Sequence, residues 1–575
     1  MTRLIRSTLL TLLVLVPICA LAQSKGRIYD SFDEMTKALH ELQSRYGDIV
    51  HLESLGKTSG GRDIWVVGLR KGDPAEPRAM LIVGGVEPTQ IAGSNLALQA
   101  IEYFASQYGK IDGITQLLEK MTIYVIPRAS PDATEAFFEK PQKERSVNQR
   151  PTDDDRDGLT DEDDVEDLNG DGVITFMRVE DPQGEWMVHP DDPRVLRKAN
   201  LAKNERGAYA LYTEGVDNDK DEQWNEDPRG GVNFNKNFTF NYDYFTKESG
   251  VYQVSEPEAR AVADFVFAHP AISVIVSFSP NDNLMKPWKS DPRAGSSEDG
   301  RGVVNSVTKE DEQYYQFIGK NFQEMTGFKD APPPEKGHGA FSEWAYYHAG
   351  RWSFSTFPWW APENTSQRDT SGRRGTSGGS GPRPGREDDQ EDESAMMVRT
   401  LRWYDAAGLS EVFVPWRAYA HADFAGKTVE IGGLKPFALS NPPPDSLAGR
   451  AQAFNEFFAD LAGKLPSVAL RNLETKTLRS GVYRITVDVV NEGYFPTNSA
   501  LGHRLRWVRD IAVTLDLAKG QSLASGVARQ VLDPIAGNGS AVTISWVVVA
   551  PPGSALSIRA ESPASGTSTQ RVNLR

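Results

Sequence analysis

The chain has 575 residues, carries 63 Lys and Arg against 79 Asp and Glu for a net charge of −16, and is 39% hydrophobic. That length exceeds a single hydrophobic core and implies at least two domains. The acidic balance excludes non-specific nucleic-acid binding through long-range charge, and the one cysteine, Cys19, excludes a disulfide.

The first segment, residues 1–22, reads as a signal peptide. Arg3 and Arg6 precede an apolar run that ends in Ala20-Leu21-Ala22. Cleavage after Ala22 sends the mature chain out of the cytoplasm and leaves it without cysteine, so cysteine-ligated zinc is also excluded there. Ile18 is bulky where a lipid-attachment motif at Cys19 wants a small residue. No later segment is long and apolar enough to span a membrane, so no stable membrane insertion is expected after cleavage.

Ser31-Phe32-Asp33-Glu34 reads as a helix start, followed by an apolar stripe of Met35, Leu39, Leu42 and Tyr46. Residues 64–69 and 79–85 read as strands, 94–107 as a helix and 121–127 as a strand, which is α/β alternation. VGGVEPTQIAGSN (83–95) has the layout of a metal-site loop: a strand ends in two glycines, then Glu87 and Gln90 stand one turn apart. Neither is a residue type that zinc favours.

Residues 150–229 form an acidic insertion poor in apolar periodicity. Within it Asp153, Asp155 and Asp157 alternate before Gly158, with Asp161 close behind. Asp167, Asn169 and Asp171 alternate before Gly172, and Asp217, Asp219 and Asp221 alternate without a following glycine. Alternate oxygen donors before a glycine are the opening of an EF-hand-type calcium loop, so calcium is the expected cofactor. Arg178 falls where the second loop would want a bidentate Glu, so its ligand set is completed from elsewhere. A bare solvated acidic linker would lack the glycines.

The α/β pattern returns with a helix over 255–270 and a strand over 272–278. Residues 364–395 are low in complexity and expected to be a disordered insertion. Helices follow from 395 and near 449–463. The α/β domain is thus placed at 23–465, and 466–575, with alternating segments between Gly, Pro and Asn turns, at a β-sandwich whose protein partner is unknown.

Several motifs in this order resemble the zinc carboxypeptidases of the A/B type. LGKTSGGRDIWVVGL (55–69) is similar to that family's GxSxxGR strand. VIPRASPDA (125–133) is similar to PxxNPDG, with Ser130 for Asn and Ala133 for Gly. GGVNFNKNF (230–238) is similar to GVDLNRNF, SEPEARA (255–261) to SEPET, and FSEWAYYHAGRWSFSTFPWW (341–360) to DWxY…FTFEL. The resemblance covers roughly 28–463 and is nearest to a bacterial branch with an acidic insertion and a β-sandwich tail, which implies a periplasmic or extracellular location. It implies an α/β fold with a mixed sheet flanked by helices, then an all-β domain.

The resemblance also implies a zinc held by His-x-x-Glu and a later His, with a glutamate as general base. Glu87 stands at the first His, Gln90 at the Glu, Ser279 at the later His and Pro358 at the base. A carboxylate, an amide and a hydroxyl hold zinc poorly, and proline takes no proton, so zinc is not expected. None of the eight histidines forms an HxxE, HxxH or HxH pair. The carboxylate-gripping positions are filled by Asn235 and Lys236, by Arg150 (with Arg145 as an alternative) and by Arg62. The expectation is a secreted, catalytically inactive, calcium-stabilised homologue that binds peptides or cell-wall fragments. A second reading keeps zinc peptidase activity through an unorthodox ligand set. A third makes the chain an adhesive or structural module acting through its β-sandwich.

Overall fold

The computed structural model describes residues 29–72, 78–153, 158–225, 227–291, 304–362 and 388–575. The segment expected to be a signal peptide (1–22), Asp155, Asp157 and most of the 364–395 insertion lie outside the described residues. In chain order come α1 (Phe32–Arg45), β1 (Val50–Lys57), β2 (Asp63–Leu69), β3 (Arg78–Val83), α2 (Ile91–Gln107), α3 (Asp112–Lys120), β4 (Met121–Ile126) and α4 (Pro131–Thr134). The acidic region adds β5 (Phe176–Glu180), β6 (Trp186–His189), β7 (Asp192–Lys198) and β8 (Tyr209–Thr213). Then follow α5 (Pro257–Ala268), β9 (Ile272–Phe278), α6 (Lys309–Thr326), α7 (Phe341–Tyr347), β10 (Trp352–Thr356), α8 (Asp388–Ala406), β11 (Phe413–Tyr419), β12 (Val429–Leu434) and α9 (Ala448–Gly463). The last part holds β13 (Val468–Arg479), β14 (Val482–Asn491), α10 (Ala500–Leu505), β15 (Ala512–Asp516), β16 (Ser522–Ser525), β17 (Arg529–Val531), β18 (Ser540–Val549), β19 (Ala555–Ser562) and β20 (Gly566–Asn573).

Helix α1 starts where the sequence places it. The Ser31 hydroxyl accepts the Glu34 N–H and the Glu34 carboxylate accepts the Ser31 N–H at 2.9 Å, a closed capping box. The main sheet has the order β1-β2-β4-β3-β9-β10, antiparallel at its first two pairings and parallel from β4 to β10. Its register sets Val83 beside Ile126 and Ser277, and Thr356 beside Phe278. The carboxyl ends of four parallel strands therefore share one edge, where open α/β sheets build their sites. Apolar clusters cover both faces. One is built on α1, α2, α6 and α9, the other on α5 and α7.

Beyond its acidic loops, the 150–229 region carries regular structure: β5–β8 join β11 and β12 in a six-stranded antiparallel sheet of order β11-β12-β5-β8-β6-β7. In that sheet Arg178 pairs with Glu430 at 2.8 Å and stacks 4.6 Å from Trp416. The 364–395 segment also ends inside a helix, because α8 already runs from Asp388.

The C-terminal region forms two four-stranded antiparallel sheets, β13-β14-β18-β16 and β17-β15-β19-β20, that share one core including Ile485, Val513, Trp546 and Ile558. It is docked, not tethered. Phe495 and Leu501 are buried in the α/β core. Asp311 of α6, 1% exposed, accepts N–H bonds from Ala500 (2.9 Å) and Leu501 (3.3 Å) at the start of α10 and the Tyr346 hydroxyl at 2.9 Å.

Candidate functional site

The edge loops are held by close backbone contacts. After β3 the chain passes Gly84, where a Cβ would lie 2.5 Å from the Pro127 carbonyl. Only glycine allows that approach, and it lets the Gly84 carbonyl accept the Ala129 N–H at 2.9 Å. Asp132, fully buried at the head of α4, accepts from the Gly60 N–H at 2.8 Å and pairs with Arg62 at 2.9 Å. The 55–62 and 125–133 motifs are thus one structural unit, and Arg62 serves it as a positioning residue.

The four positions that the resemblance singles out follow the strand ends of this edge: Glu87 and Gln90 after β3, Ser279 after β9, Pro358 after β10. Glu87 is partly buried and accepts the Thr89 hydroxyl at 3.3 Å. Gln90 is buried, and its Oε1 has no hydrogen-bond partner among the described residues. The Ser279 hydroxyl donates to Asn281 Oδ1 at 3.3 Å, accepts the Asn281 N–H at 3.3 Å and shares a 2.8 Å bond with the Ser355 hydroxyl, so it is already engaged within the protein. Pro358 is buried. No histidine moves in to compensate among the described residues: His338 pairs with Asp243 at 2.7 Å and His348 with Thr239. One carboxylate, one amide and an engaged hydroxyl are a poor zinc set: only the Glu87 carboxylate is a donor of a kind zinc takes, and among the described residues no imidazole or thiolate joins it.

The structure sets Lys236 and Asn235 near this edge. The Asn235 amide donates to Asn281 at 2.9 Å and its carbonyl oxygen accepts the Phe341 N–H at 3.1 Å. Lys236 pairs with Glu248 and acts electrostatically on Glu87, as does Glu335 on the exposed rim. Arg150 is paired at 2.7 Å with the fully buried Glu256, which also accepts from Asn148. Arg145 is committed to Glu139 at 3.1 Å. Every cation expected to grip a carboxylate therefore already has one from the protein. These partners, Glu248, Glu256 and Glu335, were missed from the sequence. Their spacing from the motifs follows no pattern, and only the SEP start of the 255–261 stretch hinted at Glu256.

Burial, reinforced by Glu335 and Glu248 and opposed by Lys236, pushes the Glu87 carboxyl up to about 7 from the usual 4.5. Burial also raises Glu258, beside Asn148, to about 7. Between these values and 4.5 the folded chain binds more protons than the unfolded one. Stability therefore falls as pH rises through that window and levels off above it. The melting temperature is expected to drop from pH 5 to pH 8. Glu87→Gln should flatten the drop by on the order of 1–3 kcal/mol in a melting series, and a parallel curve would contradict the assignment.

The acidic loops repeat one turn. The sixth residue donates its N–H to the first carboxylate: Gly158 to Asp153 (3.1 Å), Gly172 to Asp167 (2.8 Å), Glu222 to Asp217 (3.1 Å). The second and third loops also share the later bonds, Asp171 N–H to Asn169 and Val173 N–H to Asp171, matched by Asp221 to Asp219 and Gln223 to Asp221. The missing glycine of the third loop is overcome because Glu222 itself takes φ 73°, near the 85° of Gly172. Among the described residues only Asp217, Asp219 and Asp221 bring three acidic ligand atoms within 4.8 Å of one another. Asp161 is used otherwise, accepting the Gly230 N–H at 3.0 Å. Buried Glu214 accepts from Asn169 and Thr175, and Asp163 accepts from Asn218 at 3.0 Å, which ties the loops together.

A family model described as zinc carboxypeptidase matches residues 35–358, more than half of the chain. A second, described as a domain of unknown function (DUF8731), matches 467–573. Mouse carboxypeptidase M is 31% identical over 127 residues, 21% of this chain and 28% of that protein. Human carboxypeptidase D is 29% identical over 116 residues, 20% of this chain and 8% of that protein. The chain thus spans less than a third of either relative's length. Among solved structures, thrombin activatable fibrinolysis inhibitor aligns with a TM-score of 0.35 at 16% identity, over 58% of this chain and 69% of that one. Carboxypeptidase A from Helicoverpa armigera aligns with a TM-score of 0.36 at 13% identity, over 57% of this chain and 64% of that one.

Proposed function

The chain belongs to the zinc carboxypeptidase family, and from that premise we propose that it is a secreted, non-hydrolytic member that binds peptide-like ligands and is stabilised by calcium. One observation carries the reading: Glu87, Gln90, Ser279 and Pro358, which the resemblance aligns with the ligands and the base, follow the strand ends of one sheet edge and offer one carboxylate, no imidazole and a hydroxyl already engaged. The location follows from the leader-like residues 1–22 and points to a bacterial periplasm or exterior. The repeated one-to-six turn supports calcium, held by Asp217, Asp219 and Asp221 and by the loops at 153 and 167.

The ion pairs refine how a peptide carboxylate would be held. Lys236 and Glu248 are 44% and 33% exposed, so exchanging Glu248 for a ligand carboxylate costs little. Arg150 stays with Glu256, because Glu256 is buried and would be left as an unpaired charge. The test is the mature protein purified without chelator, with metals measured by mass spectrometry and a mixed peptide library offered as substrate. No stoichiometric zinc and no loss of C-terminal residues are expected. One zinc per chain with chelator-sensitive cleavage would overturn the reading.

A further inference from the structure

The acidic total conceals a local excess of the opposite sign. A cleft of 1320 Å³ separates the amino-terminal ends of β3, β4 and β9 from the C-terminal domain, at the sheet edge opposite Glu87. Arg504, Arg506, Arg509 and Arg529 line it together with His269. Its two acids are already matched: Asp510 holds His503 at 3.0 Å, and Glu561 lies 3.5 Å from Arg559. The four arginines are exposed and have no ion pair or side-chain hydrogen bond among the described residues. Beside them Trp507 is 60% exposed, with its ring 5.3 Å from that of Phe267.

We propose that this cleft binds a polyanionic glycan, a chain of sugar units bearing carboxylate, phosphate or sulfate groups. The unpaired guanidinium forks match such groups in a bidentate way. The volume exceeds that of ordinary small-molecule pockets, which suits an extended chain. Trp507, next in the chain to Arg506 and exposed, offers an apolar ring face for a sugar to lie on. A bilayer is flat and does not reach into a concave cleft. Single strands want a series of aromatic platforms, where Trp507 offers one. The inference uses none of the residues around Glu87 and stands apart from the reading of that site.

The experiment titrates the full mature protein with labelled polygalacturonate and dextran sulfate. Neutral dextran, single-stranded and duplex DNA, and phosphatidylglycerol vesicles serve as comparisons. Both charged glycans are expected to bind, more weakly as salt is added, and neutral dextran is expected not to bind. Arg504→Gln, Arg506→Gln, Arg509→Gln and Arg529→Gln together should weaken binding about tenfold or more. Trp507→Ala should weaken it without changing the salt dependence. Arg529→Glu alone is the second variant, should the quadruple one melt differently from the parent. Binding of neither charged glycan, equal binding by the arginine variants, or tighter binding of DNA or vesicles would overturn the proposal.

Discussion

Withdrawing calcium is expected to destabilise the α/β domain by about 2.7 kcal/mol for each site that had been held at a hundred times its dissociation constant. The loops at 153, 167 and 217 crowd acidic groups on short turns whose carboxylates already accept backbone N–H bonds on one side. The remaining lone pairs face one another, most closely at Asp217, Asp219 and Asp221. Without a cation those charges repel, at about 4 kcal/mol for a pair 4 Å apart in a surface-like dielectric. The melting temperature should rise with calcium and far less with magnesium, which demands a tighter octahedral shell. Asp219→Ala and Asp171→Ala should each remove part of the rise, and Asp161→Ala, whose carboxylate already serves Gly230, should remove less. Identical melting curves in calcium and chelator would show the loops to be solvated turns.

The second large effect is expected at the domain junction. Asp311→Ala removes the acceptor of three buried donors, the N–H groups of Ala500 and Leu501 and the Tyr346 hydroxyl. Each donor left unsatisfied costs about 1–3 kcal/mol, so a loss of roughly 3 kcal/mol or more is expected. Asp311→Asn keeps the shape but turns an N–H₂ toward one of the donors, and it should recover only part of the loss. The loosened docking is read by limited proteolysis, which should cut between the two domains in the variant well before the parent. Unchanged proteolysis and melting would mean that Phe495 and Leu501 hold the docking alone.

Much of the main sheet was legible because its central strands are buried runs such as 79–83 and 272–278, and α1 announced itself through Ser31 and Glu34. Edge strand β1 was not, since exposed Glu53 and Ser54 and a register shift before Lys57 break its alternation. Strands of the acidic region escaped because β6 has four residues, all half-buried, and its sheet is completed by distant segments. At the site, Glu87, Gln90, Ser279 and Pro358 were picked out by the resemblance, and the structure sets them after the ends of β3, β9 and β10. The ion pairs of Arg150 and Lys236 could not be read from the sequence, because Glu256 lies 106 residues from Arg150 and nothing local ties them.

The sheet that joins β5 to β12 has a consequence for the order of events during synthesis. Glu180 and Val429 are about 250 residues apart in the chain, yet their strands are neighbours. At about 5–20 residues per second, a ribosome needs roughly 12–50 s to make the second after the first. During that interval the edge of β5 that faces β12 has no partner, and Met177 and Val179 have Leu168, Tyr212 and Trp224 beside them but lack the cover of Phe424, Val429 and Ile431. The acidic region therefore cannot mature as an independent early unit. Its closure waits for β12, and a chain stopped before residue 429 would present an open hydrophobic edge to whatever chaperone or protease meets it.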